Sequence, residues 1–157
     1  MRRASFTRRT VHLVDLENVV GRSHLTESAV RQACAAYTRC GVVAAGDHVI
    51  VATSHHNLLA AGFGWPNARH LVRSGPNGAD LALQEVMDRE RLEQRFGACI
   101  LLTGDGGFAH PVAALIGRGL RVEVIAPIGR MSAALKLAAT ASYELDFTDH
   151  ADTTRSA

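Results

Sequence analysis

The chain has 157 residues, 47% apolar and 20% charged, with a formal net charge of +2. That length suits one soluble globular domain burying about 70% of its unfolded surface. No apolar run approaches the length of a membrane span, and no apolar region follows the opening arginines, so neither a transmembrane helix nor a secretory signal is expected.

Residues 1–10 form a basic arm in which Arg2, Arg3, Arg8 and Arg9 stand with no acid among them. Such an arm is either a solvated tail or a nucleic-acid contact. Val11 to Leu16 reads as the first strand. Thr26 can cap a helix through about Thr38, with Val30, Cys34 and Tyr37 on its buried stripe and Gly41 as its stop. His48 to Thr53 is a second strand. A short helix capped by Ser54 follows, with Leu58 and Leu59 expected to face inward, and it ends in the loop GFGWPN. Arg69 to Val72 is a third strand. The turn SGPNG then delivers Asp80 to the start of a long helix, Leu81 to about Phe96. Cys99 to Leu102 is a fourth strand, apolar throughout and so buried on both faces. It breaks into a Gly-rich turn holding Asp105, and a helix runs on to about Gly117. Leu120 to Ala126 is a fifth strand, Ser132 caps a helix to about Ala139, and Tyr143 to Phe147 is a candidate edge strand. The domain spans 11–148, and 149–157 reads as a frayed tail. Cys34, Cys40 and Cys99 are odd in number and share no C-x-x-C spacing, which fits reduced thiols and a cytoplasmic location.

Strands alternating with helices imply an α/β fold: a three-layer sandwich around a central parallel sheet of about five strands. Right-handed crossovers give the order 3-2-1-4-5, whose winding reverses between strands one and four. Ligands of open α/β sheets bind at that reversal, beyond the carboxyl ends of the strands. Asp15, Asp80 and Asp105 all arrive there. Helix capping is the plainer reading of Asp80 and Asp105 taken singly. Together, two carboxylates about 5 Å apart repel by roughly 3 kcal/mol at an effective dielectric of 20. No Lys or Arg is adjacent in sequence to offset this, whereas a Mg²⁺ or Mn²⁺ ion would. Such an ion activates a water and neutralises charge developing on a phosphate. Asn18 reaches the crevice as a neutral orienting group. Thr103 and Ser132 lie at the same edge, with local backbone bonding as their simpler role. Glu85 and Asp88, further along the Asp80 helix, are extra acids whose simpler role is surface charge.

The segments DLENV, GADLAL and TGDGGFAHPVAALIGRGLRVEVI resemble the NYN branch of the PIN-like nucleases, over about Val11 to Phe147. The resemblance implies a PIN-like Rossmannoid fold and a metal-dependent endoribonuclease acting on RNA. Its acidic site maps to Asp15, Asp80 and Asp105, with Asn18 beside the first. Two departures stand out. Many relatives carry a second acid where this chain has Gly107, and many carry a Lys shortly before the central Asp. RNA would require positive charge near the crevice, for which Arg69, Arg73 and Arg130 are candidates. His55 and His56 point to the same edge as substrate contacts or as structural groups, and Trp65 is a base-stacking or a packing residue.

Two other readings compete. Gly104-x-Gly106-x-x-Ala109 matches a dinucleotide-binding fingerprint, but Asp105 would face the pyrophosphate with like charge. A second alternative is an NYN-fold module that binds RNA or a protein without cutting. Self-association, the RNA substrate and the pathway are not written in the sequence.

Overall fold

A computed structural model describes residues 8–148, so Arg2, Arg3 and the tail expected at 149–157 lie outside the described residues. Six strands form one sheet: β1 (Thr10–Asp15), β2 (His48–Thr53), β3 (Arg69–Val72), β4 (Ala98–Leu102), β5 (Arg121–Pro127) and β6 (Ala141–Leu145). All neighbours are parallel, in the order β3-β2-β1-β4-β5-β6. The expected winding therefore holds, with one strand added: the edge strand is real and begins at Ala141, two residues earlier than its sequence pattern indicates.

Strands β1 and β4 are buried along their whole length, as central strands covered on both faces must be. Alternate side chains feed two cores. Leu13, Leu101 and Val124 enter one beneath α4 (Gly78–Arg89), α5 (Leu92–Arg95), α6 (Ala109–Gly117) and α7 (Ala133–Ala138). Val14, Ile100 and Ile125 enter the other beneath α1 (Leu16–Val20), α2 (Glu27–Arg39) and α3 (Leu58–Gly64). The result is a three-layer α/β sandwich. Among the described residues no helix is long and apolar enough to cross a membrane.

Two expectations are corrected and one helix is added. Leu58 and Leu59 are 38% and 73% exposed, and α3 instead buries Ala61 and Gly64, because Gly64 lies against Val30 of α2 too closely for any side chain. The long helix after β3 is two helices, broken where Arg91 takes a left-handed φ of 47°. A helix that the sequence reading does not name starts directly after Asp15, and at five residues it is too short for a hydrophobic period to declare. Thr26 caps α2 as read, accepting from the N–H of Ala29.

The amino-terminal edge of the sheet carries a buried polar set. His12 in β1 is fully buried, with Nδ1 2.6 Å from the Tyr37 hydroxyl and Nε2 3.2 Å from Asp47 Oδ2. Asp47 also accepts from the N–H groups of Thr10 and Ala44, both at 2.9 Å. Removing one carboxylate leaves several buried donors without their acceptor. Asp47→Ala is expected to cost about 3 kcal/mol, read as a lowered denaturant midpoint. An unchanged midpoint would show that water replaces the carboxylate at no cost.

Candidate active site

Strand β1 ends at Asp15, 2% exposed, and the β1–β4 register runs out at Val14 opposite Leu102. Across from Asp15 therefore stands Thr103, fully buried. Its hydroxyl donates to Asp15 Oδ2 at 2.9 Å and accepts from the N–H of Asp105 at 3.2 Å. Thr103 is thus not confined to local backbone bonding: it ties the first acid to the turn bearing the third. The acid in contact with Asp15 is Asp80, in the first turn of α4, rather than Asp105. Asp80 lies within hydrogen-bonding reach of both Asp15 and Asp105 and so occupies the middle of a row.

The capping roles divide. Asp105 does cap, accepting from Gly107 N–H at 2.8 Å through Oδ1. Asp80 does not, since Asn77 holds the N-cap position of α4. Asn18 aims its Oδ1 at the N–H of Gly104, 2.9 Å away, and so fixes the Gly-rich turn. Gly104 and Gly106 have packing reasons to lack side chains. A Cβ on Gly104 would stand 2.0 Å from the Arg130 carbonyl, and one on Gly106 would stand 2.7 Å from Ser132 Oγ. Those contacts account for the glycines without a dinucleotide.

A fourth carboxylate lies inside the DLENV segment, between Asp15 and Asn18. Glu17, two residues beyond Asp15 on α1, lines the same crevice of about 410 Å³ as Asp15, Asn18, Asp80 and Asp105. Its Oε1 accepts from Thr53 Oγ1, the N–H of Ser54 and Asn57 Nδ2, at 2.6–2.9 Å. Its Oε2 is buried and makes no hydrogen bond. The sequence signal was its place two residues past the end of β1.

Electrostatically the crevice is overcharged with acid. Burial, then the Asp80 charge, raises Asp15 well above the usual carboxylate range, against the Thr103 bond that lowers it. Burial first, then Asp105 and Glu17, pushes Asp80 up to about 6, although its contact with Asp15 pulls the other way. Both members of that pair are therefore disfavoured as anions. Burial also raises Glu17, but the bonds from Ser54, Asn57 and Thr53 outweigh it and keep the group ionised. Among the described residues no Arg or Lys forms an ion pair with any of the four.

Whether these groups fit a divalent cation is decided by that chemistry. The donors are hard carboxylate oxygens, two of them disfavoured as anions, and Glu17 Oε2 is an orphaned buried acceptor. Among the described residues no three His, Cys, Asp or Glu side chains form a ready-made metal cage. A row with Asp80 at its middle suits an ion that binds through one or two carboxylates and keeps its waters, as Mg²⁺ does.

The remaining candidates separate cleanly. Arg130 lines the crevice. Arg73 does not: it pairs with Glu85, 3.3 Å away, on clefts beside α4. His56, not His55, lines the crevice, because the single helical turn after β2 sends His55 to Ser74. Ser132 caps α7, behind the Gly-rich turn. Arg69 pairs with Glu90, Trp65 is packed at 4% exposure, and neither Glu85 nor Asp88 reaches the crevice.

No family model matches the chain, and no curated protein is significantly similar to it. A protein of unknown function from Vibrio parahaemolyticus RIMD 2210633 superposes with a TM-score of 0.60 at 18% identity, over 92% of this chain and 97% of that one. The fold is shared. The MAR1 ribonuclease of Caenorhabditis elegans superposes with a TM-score of 0.44 at 14% identity, over 87% of this chain and 73% of that one. At that score the second likeness carries no conclusion.

Proposed function

We propose that this protein is a metal-dependent endoribonuclease of the NYN type. The observation that carries the reading is the row Asp15–Asp80–Asp105 at the switch point of the sheet, with Asp15 and Asp80 raised in pKa and none of the three in an ion pair with a cationic side chain among the described residues. Asp15 and Asp80 would hold Mg²⁺ or Mn²⁺, with Asp105 completing the site. A bound ion of that kind lowers the pKa of water and neutralises charge on a phosphodiester.

The chain's own groups set the stage. Thr103 fixes the orientation of Asp15, and Asn18 fixes the turn that aims Asp105. Glu17 adds a fixed negative charge that strengthens cation binding. Arg130, on the lining of the same crevice, supplies the positive charge that a phosphate requires. The partner is RNA, held at its backbone.

One observation favours a second reading, a module that holds RNA uncut. Gly107 leaves the turn without a further acid, although the space is open: a Cβ there would meet only Asp105, at 3.3 Å. A pool of single-stranded and structured RNA, incubated with Mn²⁺, Mg²⁺ or EDTA, separates the two. Cleavage in either metal and none in EDTA is expected. Retention of RNA on a gel with no cleavage in any condition would favour the binding module, and cleavage indifferent to EDTA would refute the metal site.

A further inference from the structure

Among the described residues most arginines are occupied. Arg69, Arg73, Arg89, Arg95, Arg118 and Arg121 all pair with glutamates. Arg22 and Arg130 are different. Both line the aspartate crevice, yet among the described residues neither guanidinium makes an ion pair or hydrogen bond. Two cations that stand beside four carboxylates and bond to none of them are left for another anion.

Their positions are built. Gly21 closes α1 with a φ of 80°, and the Arg130 guanidinium lies directly against it, Nη1 standing 2.6 Å from where a Cβ would be. Arg22 rides on the following loop, which Asn57 pins from beneath. Asn57, 2% exposed, donates to the Ser23 carbonyl and accepts from the N–H of Leu25, both at 2.9 Å, and His56 holds the same Ser23 carbonyl at 2.7 Å. The rim that carries Arg22 is thereby anchored to Glu17 through Asn57.

Both arginines also line a second cleft, of about 420 Å³, between α1, α2 and the ends of β5 and β6. They stand at the junction of the two. The second cleft combines apolar surface from Val20 and from Ile128, which is 64% exposed, with the polar groups of Thr26 and Gln32. Asp146 on its wall disfavours a second phosphate there. Apolar faces with polar groups at the margin suit an uncharged, flat, hydrogen-bonding group such as a nucleobase.

We infer that this cleft is a subsite for the nucleotide next to the one being cut, its phosphate gripped between Arg22 and Arg130 and its base lying against Val20 and Ile128. The inference rests on the nuclease reading and adds to it the path of the strand: out of the crevice, across the arginine pair and into the cleft below β6. It requires a substrate that continues past the cleaved bond on that side, which is the demand of an endonuclease.

The test is fluorescence anisotropy with a fluorescein-labelled single-stranded RNA of ten uridines, in Mn²⁺, on the Asp105→Asn chain so that the strand is not cut. Adding Arg22→Ala or Arg130→Ala is expected to weaken binding about fivefold to tenfold each. The slope of log affinity against log salt should fall by about 0.7 for each arginine removed. Ile128→Ser is expected to weaken binding with the slope unchanged, and Arg91→Ala, remote from both clefts, to change neither. Arginine variants that bind like their parent, with the same slope, would overturn the subsite while leaving the nuclease reading standing if the unmodified chain still cleaves RNA. An unmodified chain that neither binds nor cleaves RNA would overturn both.

Discussion

Asp15→Asn is expected to lower metal-dependent RNA cleavage about a thousandfold while making the metal-free protein more stable at neutral pH. Both effects come from one carboxyl. Burial and the facing Asp80 disfavour the Asp15 anion, and an Asn amide removes that charge while leaving a donor that can face Asp80. The amide oxygen still accepts from Thr103, so the fold loses little. The sign of the pH dependence follows. Asp80 is held at about 6, above its unfolded value near 4, so the native state binds more protons than the unfolded chain between those limits. Stability of the metal-free protein therefore falls as pH rises from about 4 through 6, and the raised Asp15 extends the fall further. For Asp80 the loss is about 1–2 kcal/mol once solvent screening is allowed for. Denaturant midpoints in EDTA should show this decline, Asp15→Asn should flatten it, and Mn²⁺ should restore the unmodified chain. A midpoint that climbs steadily from pH 4 to 7 would contradict the raised carboxyls.

Gly104→Ala is expected to be among the most damaging single substitutions, costing about 3 kcal/mol or more and lowering the melting temperature by roughly 10 °C. The added Cβ would meet the Arg130 carbonyl at 2.0 Å and its carbon at 2.8 Å, contacts that only a backbone shift relieves. Neither side is free to move. Gly104 N–H is bonded to Asn18, and its carbonyl accepts from the N–H of Ser132 at 2.9 Å. Any shift also displaces Arg130 and the turn of Asp105, so activity should fall with stability. Gly107→Ala, three residues on, meets only the Asp105 side chain and serves as the mild control. Equal melting temperatures for the two variants would refute the close-packing argument.

Much of this was legible in the residues. The order of the central strands followed from apolar runs alternating with helical stretches, because crossover handedness leaves few windings. β2 and β3 begin and end where their β-branched and apolar runs do. That Asp15, Asp80 and Asp105 gather at one edge was also readable, since each ends a strand or opens a helix there. What the sequence concealed depends on side-chain direction and pairing. Glu17 stayed hidden between the two named positions of its motif, since its bonds run to Thr53, Ser54 and Asn57, some forty residues away. His55 and His56 are neighbours on a single tight turn, where one step decides which faces the crevice. Arg73 lost its candidacy to Glu85, a partner twelve residues along that no local pattern announces. Asp80 and Asp15 meet because α4 starts at Gly78, pressed so closely on the Arg73 carbonyl that a Cβ would stand 2.2 Å from it.

The most direct measurement is a Mn²⁺ titration of the full chain at pH 7, followed by electron paramagnetic resonance, for the unmodified protein and for Asp80→Asn. Binding by the unmodified chain, weakened at least about tenfold when the middle of the row loses its charge, is the predicted result. Equal binding by both, or none by either, would mean that the aspartate row does not hold a cation.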